Sequence, residues 1–160
     1  MRYIKAIGTV AVLLVTVWIA SALAADEGPH DKAIKARQAM MQLRGYSLGI
    51  LGAMAKGNVD YDAELAADAA ANLHAASTMK AGMMWPAGSD SATAENATNR
   101  ALQAMWDTYP KVVEYNDTNA EATAAMMAVA GDGLDALKGA MGAVGDGCKG
   151  CHEDFRAEKK

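Results

Sequence analysis

Cys148-Lys149-Gly150-Cys151-His152 concentrates more chemistry than any other stretch of this chain. Two thiols lie three residues apart, and an imidazole follows the second directly. That spacing suits a haem. Each thiol can add to one vinyl group, so the pair fixes one edge of the ring, and the next residue projects its imidazole at the iron. The C-x-x-C-H pattern therefore reads as an attachment site for one haem c, linked through Cys148 and Cys151, with His152 as the axial ligand. Other readings fit less well. A redox dithiol is expected after a strand, and no βαβ pattern precedes this motif. Structural zinc wants about four ligands. Only His30 and His74 remain as further histidines, and there is no second cysteine pair. A simple disulfide would leave His152 unexplained.

The motif needs a rigid carrier, and the hydrophobic pattern supplies one. Leu134, Leu137, Met141, Val144, Cys148, Cys151 and Phe155 recur at spacings of three or four, the period of one helix face. This last helix is expected to begin near Asp132. Three others are read upstream. The first spans about residues 29–56, with Pro29 in its first turn and a stripe through Ile34, Met41, Leu48 and Ala55. Gln38, Gly45 and Gly52 fill the same face. The second is expected to be capped by Asp60 and to run through Leu65, Ala69, Leu73 and Ala76 to about Ala81. Its alanines favour helix strongly. Trp85-Pro86-Ala87-Gly88-Ser89-Asp90 breaks the pattern, making residues 83–101 the longest connection. The third helix is placed from about Leu102 to Ala130, with Pro110 leaving its start open. Val113, Met126 and Met127 are its later core candidates. Trp106 and Tyr109 are assigned to packing. No stretch alternates long enough to suggest a strand. The fold class is all-α, an antiparallel four-helix bundle with covalently bound haem c.

The start of the chain reads as a secretory leader. Arg2 and Lys5 precede an uncharged, mostly apolar run from Ile7 to Ile19, and small residues stand at Ala22 and Ala24. The run is short for a membrane crossing, which takes roughly 20 residues. Residues 1–24 are therefore expected to be removed, leaving a single domain over residues 25–160 with no stable membrane insertion. Export agrees with covalent haem attachment. Losing Arg2 and Lys5 leaves 13 basic residues against 19 acidic ones, a formal charge of −6. That balance argues against a nucleic-acid partner.

The 11 methionines leave the distal side of the iron open. Most suit core packing, because thioether chains fill irregular spaces. Met40 and Met41 are the candidates nearest a possible iron position. Either one packs without bonding, leaving iron five-coordinate, or ligates it as in His/Met electron carriers. His30 and His74 are weak rivals to His152. His30 is expected to be exposed and His74 to lie at the surface or partly buried.

The segments Ala36-Arg37-Gln38-Ala39-Met40-Met41 and Cys148 to Arg156, with Trp85-Pro86-Ala87-Gly88 between them, resemble the cytochrome c′ family across residues 25–160. The late C-x-x-C-H is the most specific shared feature. The resemblance implies His152 as proximal ligand to a usually five-coordinate iron. It implies Met41 as an apolar distal residue, Arg37 near a haem propionate with Gln38 beside it, and Arg156 as a basic residue one turn after the proximal histidine. A guanidinium pairs well with a propionate. Trp85 is divided between packing on the ring and anchoring the loop. The family also contains low-spin members that use methionine from this region.

The function expected is one-electron transfer, nitric oxide or carbon monoxide binding, or both, in the periplasm of a Gram-negative bacterium. The partners expected are a small redox protein, a diatomic gas, and a second copy of the chain packed through the first two helices. The alternative is a six-coordinate carrier using Met41 or Met40. Dedicated catalysis is disfavoured, because peroxide activation benefits from a polar distal acid–base group and the first-helix stripe offers no histidine.

Overall fold

The computed structural model describes residues 28–94 and 98–159. The expected leader, residues 1–24, lies outside them. Among the described residues the regular structure is helical, and no helix is long and apolar enough to cross a membrane. Four long helices make the bundle: α1 (Asp31–Ala55), α2 (Ala63–Thr78), α4 (Tyr109–Val129) and α5 (Leu134–Phe155). A short helix, α3 (Ala104–Asp107), and a 3₁₀ turn at Gly82–Met84 lie in the long connection.

The helices pack in a ring, α1 on α2, α2 on α4, α4 on α5, and α5 back on α1, with the last interface the loosest. Cross-links set their directions. Tyr61 donates its hydroxyl hydrogen to the Ala130 carbonyl, while His74 meets Thr123, so α2 and α4 run antiparallel. The core joins Leu51, Met54, Leu73, Met126, Leu137 and Val144 to a floor of alanines from α2. Those small side chains let α1 and α4 approach the α2 backbone.

Several expected boundaries move. The second helix starts two residues later than Asp60 implies. Asp62 is its cap, in extended conformation, accepting from the Leu65 N–H at 2.9 Å. It also ends earlier, at Thr78. The expected third helix divides at Thr108, so Pro110 falls in the first turn of α4, where no N–H is needed. Val113 and Met127 face outward and only Met126 is core. The α5 stripe holds, with Leu137, Val144 and Phe155 buried.

On α1 the buried line is Ile34, Arg37, Met40, Ser47, Leu51 and Met54, while Met41 and Leu48 are half-buried and Gln38 is exposed. The heptad through Ile34 and Met41 thus marks one border of a wider buried arc. The arc is wide because α1 serves two neighbours. Likewise His30 is half-buried beside Gly88 rather than exposed, whereas His74 is half-buried, within the expectation for it.

The cap makes a direct test. Asp62→Ala should lower unfolding stability by about 1 kcal/mol in urea melts. Asp60→Ala should change it by less than about 0.5 kcal/mol.

Candidate haem site

Cys148, Cys151, His152 and Phe155 stand at i, i+3, i+4 and i+7 on α5, so they share one side of the helix. Both cysteines are free thiols and half-buried, as is His152. Gly147 and Gly150 turn the other way. A Cβ at Gly147 would stand 3.2 Å from the Asn119 backbone of α4. One at Gly150 would stand 2.7 Å from the Tyr115 ring. That ring has little freedom. Its hydroxyl donates to Asp154 at 2.7 Å, and it packs edge-on to Phe155. Lys111 meets the same carboxylate at 2.6 Å. These two donors hold the Asp154 carboxyl below its usual range. The glycine inside the C-x-x-C motif is thus the place where α4 presses against α5. Asn119, itself buried, completes the contact by donating toward the Cys148 sulfur at 3.4 Å.

Across the loose interface, α1 supplies Met41. Its register follows from one contact. A Cβ at Gly52 would meet the Met141 methyl of α5 at 3.7 Å. Eleven residues back along α1 is Met41, and eleven forward along α5 is His152. Eleven residues are close to three whole turns and about 16 Å of rise. In antiparallel helices both steps go the same way, so Met41 and His152 come to the same level on facing sides. Met40 lies about 100° around the helix from Met41 and is buried in a different direction.

Three arginines surround the motif. The Arg44 guanidinium donates to the Ala76 and Ser77 carbonyls at the end of α2. It also lies within electrostatic reach of both sulfurs. Burial pushes the Cys151 thiol up, and Arg44 opposes that shift. Burial, then Arg156, Arg100 and Arg44, hold His152 below its ordinary value. All four effects favour the neutral imidazole, which is the form that binds metal. Acid must therefore reach a lower pH before it protonates this ring. Beyond α5, the Leu102 N–H bonds the Phe155 carbonyl and Ala157 bonds Arg100, forming an isolated antiparallel bridge that pins the end of the helix.

Arg37 is buried, and its guanidinium has several partners. It donates to Met84 O, to the Ser89 hydroxyl and carbonyl, and to Asn99 Oδ1. It also stacks 4.6 Å over Trp85. Trp85 in turn packs on Trp106, whose indole N–H donates to the Trp85 carbonyl. Gln38 donates to Thr98 O at 2.7 Å. Arg37, Gln38 and Trp85 thus join α1 to the long connection, and this loop-anchoring role is the one their observed contacts show. Arg156 is exposed one turn after His152.

Arg44, Arg100, Tyr115 and Asn119 were not singled out from sequence. Arg44 left a signal there, one turn after Met41 and two after Arg37. The α4 residues left none.

A family model described as Cytochrome C′ matches residues 32–156. The chain belongs to the cytochrome c′ family. It is 40% identical over 131 residues to cytochrome c-554 of Cereibacter sphaeroides, covering 82% of this chain and 97% of that protein. It is 37% identical over 135 residues to cytochrome c′ of Halomonas halodenitrificans, covering 81% and 98%. A solved Rhodobacter cytochrome c′ superimposes with a TM-score of 0.77 at 30% identity, over 81% of this chain and 98% of that one. Membership makes this a haem c protein, and Cys148 and Cys151 are the two cysteines available to carry the group. The donor set fits it: two half-buried thiols and a neutral imidazole on one helix side, with cationic groups nearby for propionates.

Gly150 offers a test of this packing. In an open helix, glycine to alanine gains about 0.5–1 kcal/mol. Gly150→Ala should instead lose about 1–3 kcal/mol, through overpacking against Tyr115. Thermal melts should show most of that loss disappearing in a Tyr115→Ala background.

Proposed function

We propose that this chain is an exported haem protein that cycles one electron and binds nitric oxide or carbon monoxide on the side of the iron facing α1. In this reading residues 1–24 direct export to the periplasm of a Gram-negative bacterium and are then removed. His152 holds the iron from the α5 side, and the bound haem supplies the redox and gas-binding chemistry. Met41 covers the opposite side without bonding, leaving five-coordinate iron. Arg156 and Arg100 stand near the motif as partners for propionates, and Arg37, Gln38 and Trp85 brace the loop that borders the group. The carrying observation is the shared level of Met41 and His152 across the α1–α5 interface. A ferrous variant of the Alcaligenes xylosoxidans cytochrome c′, 24% identical to this chain and alike in fold, has been solved with NO bound.

The residues argue against a dedicated enzyme. Peroxide activation benefits from a distal acid or base. Gln38 is turned outward to Thr98, and Met41 has no proton to give.

The same register favours a second reading, six-coordinate His/Met iron in a simple electron carrier. A thioether at the level of His152 could serve as a sixth ligand, and the register supports Met41 in that role ahead of Met40.

The Met41→Ala variant separates the two. If Met41 only packs, the resting spectrum is high-spin before and after substitution, and carbon monoxide associates faster in the variant. A low-spin resting spectrum that Met41→Ala converts to high-spin would establish the second reading.

The reading extends to a homodimer through α1 and α2. Leu43 and Tyr46 are 57% and 72% exposed on one outer face of α1, and Leu65 on α2 and Met79 just past its end are exposed. Gly49, one turn after Tyr46, has open space around it. A fold relative, 24% identical, is described by its ligand-controlled dimer dissociation. Sedimentation should give twice the monomer mass, falling to the monomer in Tyr46→Glu. A monomer at every concentration would exclude the dimer.

A further inference from the structure

We propose that the groove between α4 and α5 is the docking site for a basic one-electron carrier, which seats a lysine or arginine side chain between Glu121 and Asp146. This inference rests on the electron-transfer reading and adds the place and the chemistry of the partner. The groove has a volume of about 390 Å³. Tyr115, Ala122, Ala143 and Gly147 give it an apolar lining, and Glu121 and Asp146 bring a carboxylate from each helix. That combination matches a long basic side chain, whose methylene stem lies on apolar surface while its charged end meets the acids.

The surroundings strengthen the match. Glu114 and Asp117 precede Glu121 by seven and four residues and are exposed on the same side of α4. The lysines nearest the motif are engaged elsewhere, Lys111 with Asp154 and Lys149 with Glu153. Neither Glu121 nor Asp146 takes an ion pair among the described residues. The acidic face therefore keeps its charge, and the formal charge of −6 on residues 25–160 adds to its attraction for a cation.

The position suits electron transfer. Gly147 lines the groove and is bonded to Cys148. Asn119, against which Gly147 packs, reaches the Cys148 sulfur. A protein seated on Gly147 would lie one residue from Cys148, the residue that would carry one thioether link to the haem. The exchange is a single electron, lost by ferrous iron and gained by the oxidised centre of the carrier, with no proton or group moving.

The test uses the haem-loaded protein in its ferrous form, oxidised in stopped flow by two probes. One is a basic mitochondrial cytochrome c and the other is anionic ferricyanide. Glu121→Gln combined with Asp146→Asn should slow the reaction with the basic cytochrome about fivefold at low ionic strength, with the difference closing as salt is added. The ferricyanide reaction should not slow. Asp60→Asn with Asp132→Asn removes the same charge at the far end of the bundle and should change the first rate less than about twofold. Equal slowing by both pairs would reduce the effect to net charge and overturn the docking site, as would no slowing by either. Failure of the parent protein to reduce either probe would overturn the electron-transfer reading, and the docking site with it.

Discussion

Helix α5 has to satisfy two neighbours at once, and the rest of the site depends on how it does so. One side carries Cys148, Cys151 and His152. The adjoining side must let α4 come close enough to hold the helix still. Gly147 and Gly150 make that possible, since the Asn119 backbone and the Tyr115 ring occupy the space where their Cβ atoms would stand. The contact is then locked by polar bonds rather than by apolar area. Tyr115 and Lys111 both hold Asp154, three residues past Cys151. A helix end would otherwise fray. Here it is clamped by α4 on one flank and by the bridge from Ala101 to Arg156 beyond it. A ligand presented from such an end keeps its direction.

Charge is arranged in the same economical way. The protein is acidic overall, yet arginines gather around the motif. Arg44 reaches the carbonyl end of α2, where a positive group also meets the negative end of the helix dipole. Burial lowers the His152 pKa, and Arg156, Arg100 and Arg44 add to that shift, so the neutral imidazole is favoured. Arg37 does a different task. Burying a guanidinium is costly unless its donors are met, and charge-assisted bonds of this kind contribute about 1.5–3 kcal/mol each. With acceptors from Met84, Ser89 and Asn99 and a stacked Trp85 face, it fastens the long connection to α1. The loop that borders the site is thereby positioned without a helix of its own.

The sequence by itself determined the chemistry and the architecture. The C-x-x-C-H spacing needs only the rise of one helix to place two thiols and an imidazole together, so local order was enough to read it. The α5 stripe and the alanine-rich α2 were legible for the same reason. Caps and breaks were legible only approximately, because Asp60 and Asp62 offer the same side chain and only the chain's path chooses between them. Pro110 showed that a helix must change there, while the non-helical backbone at Thr108 decided how. What only the tertiary structure decided was contact between distant segments. The level of Met41 relative to His152 depends on the register of α1 against α5, which the approach of Gly52 to Met141 reveals far from either residue. Arg37's partners come from residues about 50 positions away in the chain. Tyr115, Asn119 and the groove beside Cys148 exist as parts of the site only because α4 lies against α5. No periodicity along one helix encodes which neighbour its faces will meet.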